Sequence, residues 1–134
     1  MSTGLTQFLA DLEAFDDEVE AELVQFHKKV ALSFLQEVVA KTPVDTGRAQ
    51  SNWRTGVETV PTGVLPSAGT SRQAAFERAE KEALNAFTSL KPFSIVWVTN
   101  NLPYIEPINT GHSAKASPRW IERSLQDVES KFGD

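Results

Sequence analysis

The sequence contains no cysteine, which removes disulfides, thiolate metal sites and Cys nucleophiles together and leaves stability to packing alone. A cytosolic place of folding is expected. Histidine is nearly as scarce, with only His27 and His112 in the chain. Neither an HExxH pattern, a Gly-rich phosphate loop nor a paired metal-ligand spacing is present. The first 26 residues hold no Lys or Arg, so the N-terminus lacks the basic start of a signal peptide. No stretch approaches the ~20 consecutive apolar residues that a membrane helix needs, and a soluble protein with no membrane partner is predicted. Cations do not cluster beyond Lys28 and Lys29, which argues against tight DNA binding, because that requires many phosphates to be neutralised at once.

What is present is an ordinary globular composition, 40% apolar and 23% charged in 134 residues. This predicts one domain over residues 1–134, since two halves would each be too small to bury a core. The net charge of −5 is unevenly spread. Residues 1–26 carry seven acids, giving −7, and the remainder sets thirteen basic residues against eleven acids, giving +2.

Apolar residues recur every three or four positions at Phe8, Leu12, Phe15, Val19, Leu23, Phe26, Val30, Phe34 and Val38, the stripe of an amphipathic helix over 5–41. A helix of that length spans roughly 55 Å, more than a domain of this size needs, so part of it is expected to project. A competing reading breaks it near Asp16 and Asp17, because Asp17 followed by Glu20 fits an N-cap. Beyond it, the alternation of Trp53, Thr55, Val57 and Thr59 predicts a half-buried strand over 52–60. The Pro-, Gly- and Ser-rich stretch from Pro61 to Ser71 predicts a mobile loop. A helix over 72–90 follows, capped by Ser71, with Phe76, Ala79, Ala83, Leu84, Phe87 and Leu90 inward. Residues 93–100 alternate with apolar residues on both faces, which predicts a central strand covered on both sides. The last helix is expected to begin at Ser117 and Pro118 and to bury Trp120, Ile121, Leu125, Val128 and Phe132. The fold class expected is α+β: a long N-terminal helix, a small antiparallel sheet, and middle and C-terminal helices packed on it.

Two turns hold most of the reactive side chains. In TPVDTGR, Pro43 ends the helix, Asp45 and Thr46 supply turn oxygens, Gly47 permits positive φ, and Arg48 is placed to pair with Asp45. In NNLPYIEPINTGHS, Asn100 and Asn101 leave the strand, Pro103 extends the chain and Tyr104 supplies an aromatic anchor whose hydroxyl needs a partner. Pro107 and Gly111 keep the chain irregular as far as Ser113 and beyond. An alternative, catalytic reading recruits Asp45, Glu106 and His112 as metal ligands or an acid–base set for a small hydrolase. Each of these stands alone in the sequence, and the expectation is a protein that is not an enzyme and holds no cofactor or metal.

TPVDTGRAQSNW, from Thr42 to Trp53, and NNLPYIEPINTGHSAKAS, from Asn100 to Ser117, resemble the minor tail protein Z family of lambda-like tailed phages, among the neck and tail-completion proteins. The likeness runs over residues 5–130. It departs where family members often place a Glu shortly before the Gly: here Asn109 and Thr110 precede Gly111. An Ala-Pro-rich run is likewise replaced by AKASPRWI. The resemblance implies a non-enzymatic virion protein, folded in the host cytoplasm, that forms a homo-oligomeric ring of six or twelve copies at the neck. Its neighbours would be connector or head-closure proteins and tail-terminator or tail-tube proteins. It also implies roles for Pro43, Asp45, Thr46, Gly47, Arg48, Trp53, Asn100, Asn101, Pro103, Tyr104, Glu106, Gly111, His112 and Ser113 as turn or interface residues. Asp11, Glu13, Asp16, Asp17, Glu18, Glu20 and Glu22 read first as a solvated helix face. In a ring through which DNA passes they would instead line the lumen or rim and repel phosphate.

Overall fold

The computed structural model describes residues 3–44, 46–110 and 119–133. Helix α1 runs unbroken from Thr3 to Lys41, about 58 Å at 1.5 Å per residue. No Gly or Pro interrupts it after Gly4, and it is not broken at Asp16 and Asp17. Its C-terminal half feeds the core through Ala31, Leu35, Val38 and Val39, whereas residues 4–23 are exposed throughout.

A 3-10 turn, Gln50–Asn52, leads into β1, Trp53–Val57. Helix α2, Arg72–Ala86, starts at Ser71, whose hydroxyl accepts from the Ala74 N–H as an N-cap. It passes into a second 3-10 turn, Phe87–Ser89. Strand β2, Val96–Asn100, pairs antiparallel with β1, Trp53 opposite Asn100 and Val57 opposite Val96. Helix α3, Ile105–Asn109, forms around Pro107 where the chain was expected to stay irregular, and α4 spans Trp120–Phe132. The fold is therefore the expected mixed one, with a long first helix, a two-stranded antiparallel sheet, and middle and C-terminal helices packed against it.

The core lies between α1, α2, α4 and one face of the sheet. Ala75, Ala79, Ala83 and Phe87 form the buried side of α2, and small residues there let the helix approach α1 and β1 closely. Trp53 and Trp120 meet edge to face with centroids 6.1 Å apart, in the geometry aromatic quadrupoles prefer. At the far end of α4, Phe132 meets Phe26 in the same way at 5.9 Å. Lys41 bridges Asp127 at 2.6 Å and Glu37 at 3.0 Å. The hydrogen bond that Lys41 donates to Asp127 is the main cause that raises the Lys41 pKa above its ordinary 10.5. Such a raised cation stabilises the fold at every pH below 10.5 and ceases to do so as pH climbs through the folded value.

Several expectations need correction. Strand β2 is not a central strand: the sheet has two strands, so β2 is an edge, and only its Val96 and Val98 face is packed on the core. The other face leaves Ile95 and Trp97 exposed at 54% and 40%. The strand also starts later than Phe93, because Phe93 takes a φ of +66° inside the turn closed by Ser94 N–H to Lys91 O. Strand β1 stops at Val57, ahead of Pro61, because Glu58 adopts a φ of +66°. Leu84 and Leu125, both expected on the buried sides of their helices, instead face solvent. Ser117 and Pro118, the expected start of α4, lie outside the described residues. Arg119, at its N-cap position, is in the left-handed region with φ +59°.

Candidate functional site: two stitched turns and a projecting helix

The first turn begins where α1 ends. Thr42 donates its hydroxyl to Val38 O at 2.5 Å and accepts the indole N–H of Trp53 at 2.8 Å. The last carbonyls of a helix lack intrahelical donors, and here the Arg72 guanidinium supplies them. It reaches Val39 O at 3.0 Å and Thr42 O at 3.2 Å and also contacts Ala40 O. A cation at this end also opposes the negative pole of the helix. Pro43 is buried, Thr46 and Arg48 are exposed, and Gly47 is buried at φ +78°. Asp45, and with it the expected Asp45–Arg48 pair, lies outside the described residues. The Arg48 backbone N–H donates to Thr46 Oγ1 at 3.3 Å.

The second turn is tied to the first. Asn100 donates its amide to Ala49 O at 2.9 Å and accepts the Leu102 N–H at 3.2 Å, the side-chain turn expected of it. Asn101 instead reaches the loop after β1, donating to Pro61 O at 3.0 Å and Gly63 O at 3.1 Å. The same loop is held from the other side by Asn52, fully buried, which donates to Leu65 O and Arg48 O and accepts the Leu65 N–H. Ser51 accepts the Ala68 N–H, and Ser67 donates to Thr46 O. The stretch expected as a mobile loop is thus hydrogen-bonded along its length to both turns. Its first residue also lies against Gly56, where a Cβ would come 2.9 Å from Pro61 Cδ.

Glu82 of α2 closes the outer edge of β1. It accepts the Thr55 N–H at 2.9 Å and holds the Arg54 guanidinium in a fork, with Nε 2.8 Å and Nη2 2.8 Å from Oε2. Both nitrogens thus converge on one carboxylate oxygen, and Nε also lies 3.1 Å from Oε1, in a charge-assisted contact.

Asn109 does for α4 what its own N-cap residue does not. Its Oδ1 accepts the Ile121 N–H at 2.8 Å, its carbonyl accepts the Arg119 N–H, and its Nδ2 donates to Glu122 at 2.5 Å. That last bond, ahead of Arg119, lowers the Glu122 pKa below its ordinary 4.5. A carboxylate lowered on folding stabilises the native state above 4.5, and that contribution disappears as pH drops through the folded value. Glu122→Gln is therefore expected to flatten the acid limb of the stability profile, read as urea midpoints between pH 6 and 3. An unchanged acid limb would detach Glu122 from the cap. Asn109→Ala should cost about 1–2 kcal/mol through the lost cap.

Other expected site residues are placed singly. Pro103, Tyr104 and Glu106 are exposed. Tyr104 is not the buried anchor expected, because Leu102, which is buried, fills that role. Gly111, His112 and Ser113 lie outside the described residues, as does the catalytic grouping of Asp45 with His112. Among the described residues no three His, Asp or Glu side chains gather to hold a metal. Among them, too, no helix is long and apolar enough to cross a membrane.

The seven acids from Asp11 to Glu22 are all exposed on the projecting half of α1. That half also exposes Leu5, Phe8, Leu9, Leu12, Phe15, Val19 and Leu23, with Phe8 and Phe15 each at 60%. Sequence reasoning passed over Asn52, Arg72, Glu82 and Asn109. Two of them carried a signal: Arg72 is a cation in a first helical turn, where the dipole disfavours it, and Asn52 is a poor strand former placed where a strand was expected to start.

Comparison of the chain with family models, with curated proteins and with solved structures finds no match.

Proposed function

We propose that this protein is a structural subunit of a tailed-phage virion, of the minor tail protein Z-like kind, that forms a ring at the neck and completes the tail so that head and tail join. The observation that carries the reading is the projecting half of α1, an apolar stripe left exposed among the described residues. Phe8 and Phe15 together offer about 200 Å² of apolar surface, and the aliphatic residues between them extend it to the size of a monomer's largest patch. The turns support the same reading, since Asn52, Asn100, Asn101 and Arg72 are engaged in holding backbone rather than left free for chemistry.

Six or twelve copies would close such a ring, between a connector or head-closure protein and a tail-terminator or tail-tube protein. DNA would pass through without being gripped, and the acids of α1 would repel it wherever they face the channel. Particles assembled without the protein are expected to accumulate as filled heads and separate tails, counted by negative-stain microscopy. Joined, infectious particles at normal yield in its absence would defeat the reading. A cryo-EM reconstruction with the Asp11–Glu22 acids on the outer rim would remove the channel-lining role and leave the ring.

A further inference from the structure

We propose that the outer edge of β2 pairs antiparallel with the same edge of a second copy of this chain, about a two-fold axis at Trp97, so that two two-stranded sheets become one of four strands. The phase of the hydrogen bonds in the sheet leaves that edge open. The Thr55 N–H turns away from β2 to Glu82, whereas the Glu58 N–H crosses to Ile95 O at 2.7 Å. Inward and outward main-chain groups alternate along each strand of an antiparallel pair. With Thr55 opposite Val98 and Gly56 opposite Trp97, the main chain of Ile95, Trp97 and Thr99 is directed at β1, and that of Val96 and Val98 at the open side. Among the described residues no third strand joins the sheet, and no hydrogen bond reaches the Val96 or Val98 main chain from that side.

Edge strands are ordinarily guarded by a Lys, a Pro, a bulge or a covering element. Residues 94–101, SIVWVTNN, hold no charge and no Pro, and β2 runs along β1 without a bulge. Ile95 and Trp97 stand exposed on the strand's outer face. The other edge of the sheet is closed, because Glu82 of α2 accepts the Thr55 N–H there. Each chain therefore carries one bare edge, on a sheet with fewer strands than independent stability usually needs.

A second copy fits this edge because the edge is its own complement. About a two-fold at Trp97, Val96 lies opposite Val98 of the second copy and Val98 opposite its Val96, so each outward N–H of these residues meets an outward carbonyl. The Val96 and Val98 face, packed on the core in each copy, continues across the junction. On the other face Trp97 meets Trp97 at a non-hydrogen-bonded position, where side chains approach most closely, and Ile95 lies opposite Thr99. Charge does not oppose the contact: the Glu58 carboxylate accepts the Ile95 N–H on the β1 side of the strand, away from the junction. The joined sheet has Glu82 closing both of its outer edges, which leaves no edge for a third chain. Such a contact is isologous and makes pairs. A neck ring needs a further, unlike contact, so the pairing stands apart from the neck reading.

Charge exchange at the axis tests the pairing. Sedimentation velocity of the full chain from about 10 μM to about 1 mM is expected to show a monomer–dimer equilibrium, weak because the interface is small. Trp97→Lys and Trp97→Glu each set like charges opposite one another and are each expected to weaken the dimer about tenfold or more, while their equimolar mixture recovers it. Val98→Pro deletes an outward N–H that the monomer does not use, and is expected to give a monomer with the wild-type circular dichroism. A wild-type chain that stays monomeric to the top of that range overturns the pairing and leaves the edge to a strand of another protein. Dimers undiminished in all three variants, or a Lys and Glu mixture no better paired than its components, overturn it as well. The neck reading is decided separately, by whether particles lacking the protein join heads to tails.

Discussion

Replacing Trp53 with Ala should destabilise the protein by about 3–5 kcal/mol, the range for emptying a buried aromatic site. This is comparable to much of the total stability of a domain of this size. Trp53 is 4% exposed, packs edge-on against Trp120, and its indole N–H ends on the Thr42 hydroxyl, which in turn donates to Val38 O. One side chain therefore joins the end of α1, the start of β1 and the start of α4. Trp53→Phe separates the effects: it keeps most of the ring volume and loses the donor, and about 1–2 kcal/mol is expected for the hydrogen bond. Urea unfolding measures both. Equal losses in the two variants would mean that the hydroxyl relay, and not the packing, holds the joint. A loss below 1 kcal/mol for Trp53→Ala would remove Trp53 from the joint altogether.

The second large effect is expected at Gly47. A Cβ there would lie 1.8 Å from Gly69 O and 2.6 Å from Gly69 C, both backbone atoms, at a φ of +78°. Neither can yield as the far end of a flexible side chain could, so Gly47→Ala must push the loop off the turn. With it would go the bonds Ser67 makes to Thr46 and Ala68 makes to Ser51. The strained φ and the displaced loop together should cost about 3 kcal/mol or more. Gly69→Ala is the control: φ is +93° but a Cβ would meet nothing within 4 Å, so only the backbone term of about 1 kcal/mol remains. Limited proteolysis should cut Gly47→Ala rapidly between residues 61 and 70 and spare Gly69→Ala. Indistinguishable digestion of the two would show that the close approach does not hold the loop.

These two residues also separate what local sequence dictates from what only the fold supplies. Gly47 in TPVDTG was legible as a positive-φ position, because a turn of that composition needs one and only glycine takes it without strain. Its neighbour across space was not legible, since Gly69 comes from a stretch whose Pro, Gly and Ser content reads as mobile. Composition reports local freedom and is silent about partners twenty residues away. Asn100 and Asn101 were recognised as leaving a strand, yet their pull on Ala49 and Pro61 depends on how the sheet brings the two turns side by side.

Periodicity and breakers along the chain determined α1, α2 and α4, the two short strands and the Ser71 cap, but not α3, because 3.6-residue and 2-residue patterns and capping chemistry act over neighbouring residues. The excess acidity of the first helix was written there too. Only the tertiary structure decided which apolar stripe is core. On α1 the long regular one is largely left in solvent, while Ala31, Leu35 and Val39, on another side of the same helix, are buried. It alone showed that β2 has a bare face, and that Arg72, Glu82 and Asn109 close the ends and edges of elements remote in sequence. Hydrophobic spacing tells which side of a segment wants cover, and the cover itself is set by which remote elements pack against it.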